Sequence, residues 1–90
     1  MSTSTPDADA EERLSEAEFR DRLRELPPSA KLVAKVLEGD APLSQGQLAD
    51  ESLLPDRTVR YALNRLEESD LVGSRYSFKD ARKQVYYLNQ

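Results

Sequence analysis

The sequence predicts a small, mainly helical α+β module: a three-helix core closed by a C-terminal β-hairpin and preceded by one further helix. Three observations predict it. Apolar residues recur at helical spacing up to about residue 69, and from Leu71 the pattern changes to strand-like alternation. Serine-led capping signatures and prolines divide the helical part into four segments. Ninety residues make about one domain. Ala, Val, Leu, Met, Phe and Gly supply 33 of them, against the ~45–50% usual for apolar residues, so the core must be compact and the surface charged.

Met1 to Ala10 is small, polar and acidic, with too little apolar surface to offset its ordering entropy. Residues 1–14 are therefore read as a disordered acidic tail, residues 15–28 as an N-terminal amphipathic helix and residues 29–90 as the folded domain. Ser15 with Glu18 three residues on forms a capping box, and Leu14 can staple against Phe19, which predicts a helix from Glu16 to about Leu26. Its apolar stripe is Phe19, Leu23 and Leu26. That stripe is expected to pack on the domain's own core; the alternative is a dimer seam between two copies.

Pro27-Pro28 stops this helix and opens the next, from about Ser29 to Glu38, with Gly39-Asp40 as its stop. Ser44 with Gln47 repeats the capping box, stapled by Leu43 and Leu48, and starts a short helix ending near Ser52. After Pro55 the longest amphipathic run, about Asp56 to Ser69, places Val59, Ala62, Leu63 and Leu66 on one core stripe. Asp70 takes the left-handed position that ends it. Val72, Tyr76 and Phe78 then fall on one side of a strand, Lys79-Asp80-Ala81-Arg82 makes a turn, and Lys83 to Leu88 returns.

Several chemistries are excluded by composition. Without Cys or His there is no disulfide, thiolate nucleophile, Cys/His zinc site or imidazole base, and Gly39, Gly46 and Gly73 are isolated, so there is no glycine-rich phosphate loop. No enzyme activity, cofactor, metal or small-molecule ligand is expected. Nothing approaches a membrane span, and the N-terminus lacks a secretory pattern, so the expectation is a cytoplasmic protein with no membrane partner.

Thirteen basic and seventeen acidic residues give a net charge of −4, which taken whole argues against a polyanionic partner. Divided along the chain it does not. Residues 1–28 carry eight acids and four arginines, residues 29–90 nine of each sign, and residues 54–90 seven bases against five acids. Nine Arg against four Lys, together with no Ile, also resembles the usage of salt-accumulating halophiles.

The last long helix can be read by angle. With Val59 at 0°, a rotation of about 100° per residue puts Arg60, Asn64, Arg57 and Tyr61 between about 100° and 200°, opposite the core stripe. Arg can bond the guanine edge in a bidentate way and Asn the adenine edge of a DNA major groove. Thr58 and Arg65 flank that face and suit phosphate contacts, as do Ser44, Gln45 and the first amides of the short helix. Arg75, Lys79, Arg82 and Lys83 against Asp80 make the hairpin basic, fit for backbone or minor-groove contact. Asp80 and Arg82 can also pair with each other at the turn.

These residues resemble the winged helix-turn-helix domain of MarR-type transcriptional regulators. Leu43-Ser44-Gln45-Gly46-Gln47-Leu48-Ala49 matches the positioning helix, Arg57 to Glu67 the recognition helix, and Leu71-Val72 the entry to the wing. Asp80, Arg82 and Leu88-Asn89 resemble the Asp-x-Arg and final Leu-Thr of the MarR wing, with Asn89 in place of Thr. The chain is also similar to short winged-helix regulators of halophilic archaea. The resemblance implies a sequence-specific double-stranded DNA-binding transcriptional regulator, acting as a homodimer because one module covers one half-site. A winged helix serving protein–protein interaction is the alternative. MarR-like proteins often sense small molecules between dimer helices; no such long C-terminal helix and no sensing Cys is found in these ninety residues, so no effector is expected.

Overall fold

The computed structural model describes residues 14–90; the expected acidic tail lies outside them, apart from Leu14. The chain runs α1 (Glu16–Arg24), α2 (Pro28–Asp40), β1 (Leu43–Ser44), α3 (Gln45–Ser52), α4 (Asp56–Glu68), β2 (Val72–Tyr76) and β3 (Gln84–Leu88). The three strands form one antiparallel sheet in the order β1-β3-β2. Helices α2, α3 and α4 pack on one another, the sheet closes the core, and α1 lies against α2.

Both capping boxes form. Ser15 Oγ accepts from the Glu18 N–H at 3.1 Å and the Glu18 carboxylate from the Ser15 N–H at 3.0 Å. Ser44 Oγ accepts from the Gln47 N–H at 3.2 Å and Gln47 Oε1 from the Ser44 N–H at 2.9 Å. The bonds from Ser15 hold the Glu18 carboxyl below the ordinary carboxylate range. Helix α1 ends at Arg24, two residues before the expected end, because Leu26 precedes Pro27 and that position disfavours helical backbone.

The stop of α2 differs from the sequence expectation. The helix continues through Gly39 and Asp40, and Ala41 ends it in an extended conformation at ψ 153°. Pro42 supplies the stop, since the residue before a proline avoids the helical region. At the end of α4 the expectation holds. Asp70 is left-handed at φ 60°, the Asp70 N–H bonds Glu67 O at 3.0 Å and the Leu71 N–H bonds Leu66 O at 2.9 Å, which is a Schellman motif. Leu66 and Leu71, its apolar pair, are both fully buried.

Strand β1 was not anticipated: Leu43 and Ser44 pair with Tyr86 and Val85 of β3, so Ser44 joins the sheet and caps α3 at once. The expected one-sided set of Val72, Tyr76 and Phe78 also needs correction. Val72 is buried, but Tyr76 and Phe78 are exposed, since the hairpin runs out beyond the core after its first residues.

One core holds the molecule together. It comprises Ala30, Val33, Ala34 and Leu37 of α2, Leu43, Leu48 of α3, Val59, Ala62, Leu63 and Leu66 of α4, Leu71 and Val72, and it also takes in Phe19 and Leu26. The α1 stripe is therefore directed inward. Phe19 and Leu26 are 4% and 6% exposed, and Leu23 packs half-buried on the same cluster. Among the described residues no helix is long and apolar enough to cross a membrane.

Candidate nucleic-acid interface

Helix α4 is amphipathic because its apolar residues recur at three- and four-residue spacing. Val59, Ala62, Leu63 and Leu66 face α2 and α3, which forces Arg57, Arg60, Tyr61 and Asn64 to the opposite, exposed face. The turn that presents α4 is short. Leu53 adopts a left-handed conformation at φ 63°, Ser52 Oγ accepts from the Leu54 N–H at 3.3 Å, and Pro55 precedes the first turn.

Asp56, Arg57, Arg60, Tyr61 and Asn64 line a concavity together with Gln45, at the start of α3. The Gln45 side-chain amide donates to Asp56 O at 3.4 Å, tying α3 to the start of α4. Gln45 also lines a second concavity, with Ser44, Gly46, Gln47 and Asp50 of the β1–α3 segment facing Arg82, Lys83, Gln84 and Tyr86 of the hairpin. The exposed face of α4 and the hairpin are thus one continuous surface, joined at Gln45. Burial pushes the Tyr86 hydroxyl above its ordinary pKa, Glu67 adds to the rise and Arg60 opposes it, so the inner strand lies in the field of α4.

The cations of this surface divide into two groups. Arg65 donates to the Tyr61 hydroxyl at 3.0 Å, stands 5.9 Å from that ring's centroid and approaches Glu68 at 3.8 Å. Arg82 is paired with Asp80 at 3.4 Å, as its spacing suggested, and its backbone N–H bonds the same carboxylate at 3.0 Å. Arg57, Arg60, Arg75, Lys79 and Lys83 have no carboxylate within ion-pair distance among the described residues. Thr58 is half-buried on the flank of α4. Acids also border this surface, Asp56 in the first concavity and Asp50 in the second; Asp50 stands with Asp40 near Glu51, whose carboxyl is raised above its ordinary pKa chiefly by a hydrogen bond with Asp40.

Comparison with known proteins agrees with this geometry. Residues 34–72 match the family model described as winged helix-turn-helix DNA-binding. The fold is a winged helix-turn-helix. No curated protein matches the sequence. Among solved structures, a probable transcriptional regulator from Pseudomonas aeruginosa superposes with a TM-score of 0.70 at 20% identity, over 92% of this chain and 61% of that one. The zinc-responsive MarR family member ZitR of Lactococcus lactis gives 0.66 at 20% identity, over 73% and 45%. Bordetella bronchiseptica BpsR, whose DNA binding is regulated by 6-hydroxynicotinic acid, gives 0.69 at 22% identity, over 80% and 53%. The chain shares the fold of these structures and spans about half the length of those it matches.

In winged-helix terms α4 is the recognition helix and β2–β3 the wing. Sequence reasoning missed two groups that bond to the junction between them. Arg22 of α1 donates to Ser69 O at 3.0 Å and approaches Asp70 at 3.9 Å, placing a cation at the C-terminal end of the recognition helix, where the helix dipole favours it. Asn89 donates its side-chain amide to Asp70 O at 3.0 Å and its backbone N–H to Leu71 O at 2.9 Å. The match of Leu88-Asn89 to the end of the MarR wing was the available signal for Asn89. Nothing local in the sequence marks Arg22.

Proposed function

We propose that this chain is a sequence-specific double-stranded DNA-binding transcriptional regulator. The recognition helix enters the major groove and the wing lies on the backbone or in the minor groove. The observation that carries this reading is the continuous surface in which Arg57 and Arg60, exposed and free of carboxylate partners among the described residues, are joined through Gln45 to Arg82 and Lys83, the cations outnumbering Asp56 and Asp50 along it. Arg57, Arg60 and Asn64 read base edges, with Tyr61 beside them. Thr58, Arg65, Gln45, Arg75, Lys79, Arg82 and Lys83 hold phosphates and set the register, whereas Ser44, expected to join them, is buried with its hydroxyl and N–H engaged in the capping box. Two copies on adjacent half-sites supply the length of a specific site.

Zinc control of the kind named for ZitR is not carried over. This chain has neither His nor Cys to bind zinc, and among the described residues no group of three or more Asp or Glu could hold a metal. Duplexes selected from a random pool by the wild-type protein test the DNA reading. Arg57→Ala with Arg60→Ala is expected to reduce discrimination by about 1–3 kcal/mol for each bidentate Arg–guanine pair removed while leaving weak non-specific binding. Undiminished preference for the selected duplex in the double variant would remove this face from the reading.

A further inference from the structure

The wing carries an apolar side chain that phosphate contact does not use. Phe78 is 95% exposed at the turn between β2 and β3. It is set among Arg75, Lys79, Arg82 and Lys83, with Asp80 already bound to Arg82. The Arg75 guanidinium carbon stands 5.1 Å from the centroid of the Phe78 ring, a cation–π contact that covers one face and leaves the rest to solvent. The turn is bonded rather than loose: the Ser77 N–H bonds Lys83 O at 2.7 Å, the Lys83 N–H bonds Asp80 O at 2.9 Å and the Lys79 N–H bonds Ser77 Oγ at 3.1 Å.

A partner that fits this tip must be apolar where the ring enters and anionic around it. The minor groove has that chemistry, with stacked bases at its floor between two rails of phosphate, and proteins that use it insert Phe or similar side chains between base steps. An anionic lipid surface shares the sign of charge. The continuity of the wing with the recognition-helix surface through Gln45 favours DNA.

We infer that Phe78 is a wedge that enters the minor groove and partly unstacks a deformable base step, with Arg75, Lys79 and Lys83 on the flanking phosphates. This rests on the DNA-binding reading. It makes the wing a shape reader, since pyrimidine–purine steps unstack readily and A-tracts do not. Burial of a phenyl ring is worth roughly tenfold to a hundredfold in affinity.

The test uses the full chain and duplexes carrying 2-aminopurine at a TA step or inside an A-tract. Wild type is expected to raise 2-aminopurine fluorescence at the TA step and to bind that duplex more tightly. Phe78→Ala should lose about tenfold or more in affinity, together with the fluorescence rise and the TA preference. Phe78→Leu should keep most of all three, and both variants should keep the wild-type melting temperature and salt dependence. Unchanged affinity and fluorescence in Phe78→Ala, or tight wild-type binding with no fluorescence rise, overturns the wedge while DNA binding stands. Phe78-dependent binding to phosphatidylglycerol vesicles without duplex unstacking overturns it in favour of lipid. Failure of wild type to bind any duplex overturns the DNA reading and the wedge together.

Discussion

Replacing Lys79 and Lys83 with alanine should flatten the salt dependence of duplex binding by an amount that follows from the ion pairs. Each phosphate neutralised by a protein cation contributes a slope of about −0.9 to log K against log salt. Five cations of the candidate surface, Arg57, Arg60, Arg75, Lys79 and Lys83, have no carboxylate partner among the described residues, whereas Arg65 and Arg82 already face Glu68 and Asp80. If all five meet phosphates on a non-specific duplex, the slope is about −4.5 per bound copy, and affinity falls roughly 500-fold between 50 and 200 mM salt. Without Lys79 and Lys83 the slope becomes about −2.7, and the same change of salt costs only about 40-fold.

Fluorescence anisotropy on a labelled random-sequence duplex over that salt range measures both slopes. Arg82→Ala should change the slope less than either lysine, because its loss also releases Asp80. Lys35→Ala is the control: Lys35 pairs with Glu38 at 3.3 Å and lines the groove between α1 and α2. A double-lysine variant with the wild-type slope would show that the wing does not touch phosphate. A change of equal size in Lys35→Ala would show that the slope reports overall charge rather than the surface.

Two predictions concern stability. Leu53 is left-handed and 88% exposed, a conformation that costs an ordinary L-residue about 1–2 kcal/mol and Asn less. Leu53→Asn should therefore raise the melting temperature by about 4–8 °C for each kcal/mol relieved, with Leu53→Ala near neutral; a lower melting temperature for Leu53→Asn would show that the side chain makes a stabilising contact. The twin capping boxes should separate by burial: Ser44→Ala, at a buried site, is expected to cost about 1–2 kcal/mol and Ser15→Ala, at an exposed one, about 0.5–1, measured by urea unfolding. They should also separate by pH. Glu18 has a folded pKa below its unfolded one, so its contribution is present above the ordinary carboxylate range and is lost as pH falls through that range toward the folded value. Gln47 does not titrate, so the cost of Ser44→Ala should hold across the interval in which that of Ser15→Ala shrinks.

What was legible in the sequence is what local chemistry decides. Ser15 and Ser44 announce helix starts because the reciprocal bonds span only three residues, and Asp70 marks a helix end because few side chains tolerate the left-handed conformation. The outward set of Arg57, Arg60, Tyr61 and Asn64 followed from rotation about α4 alone. Strand β1 was hidden because two residues cannot show alternation and their partners lie some forty positions on, in β3. The same distance hid Arg22, which reads as one more surface arginine until the fold brings it to Ser69. Gly39-Asp40 misled because Pro42 lies close behind and takes over the stop.

The net charge of −4 and the proposed affinity for a polyanion are compatible because eight of the seventeen acids fall in residues 1–28, whereas residues 54–90 carry seven bases against five acids. Asp40, Asp50 and Glu51 stand together closely enough for a carboxyl of the group to be raised in pKa, which marks a locus where phosphate would be repelled. The unpaired cations sit on α4 and the wing, and the two concavities beside them share neutral Gln45 but also take in Asp56 and Asp50. Repulsion from exposed acids acts through solvent and is screened over ~8 Å at 0.15 M salt and ~3 Å at 1 M, whereas hydrogen bonds from Arg57 and Arg60 to base edges act at contact. Rising salt therefore weakens the opposition of these acids along with the long-range attraction, and the short-range bonds are left to discriminate. A net-acidic chain of this layout would lose in salt its non-specific hold on DNA sooner than its preference for one sequence.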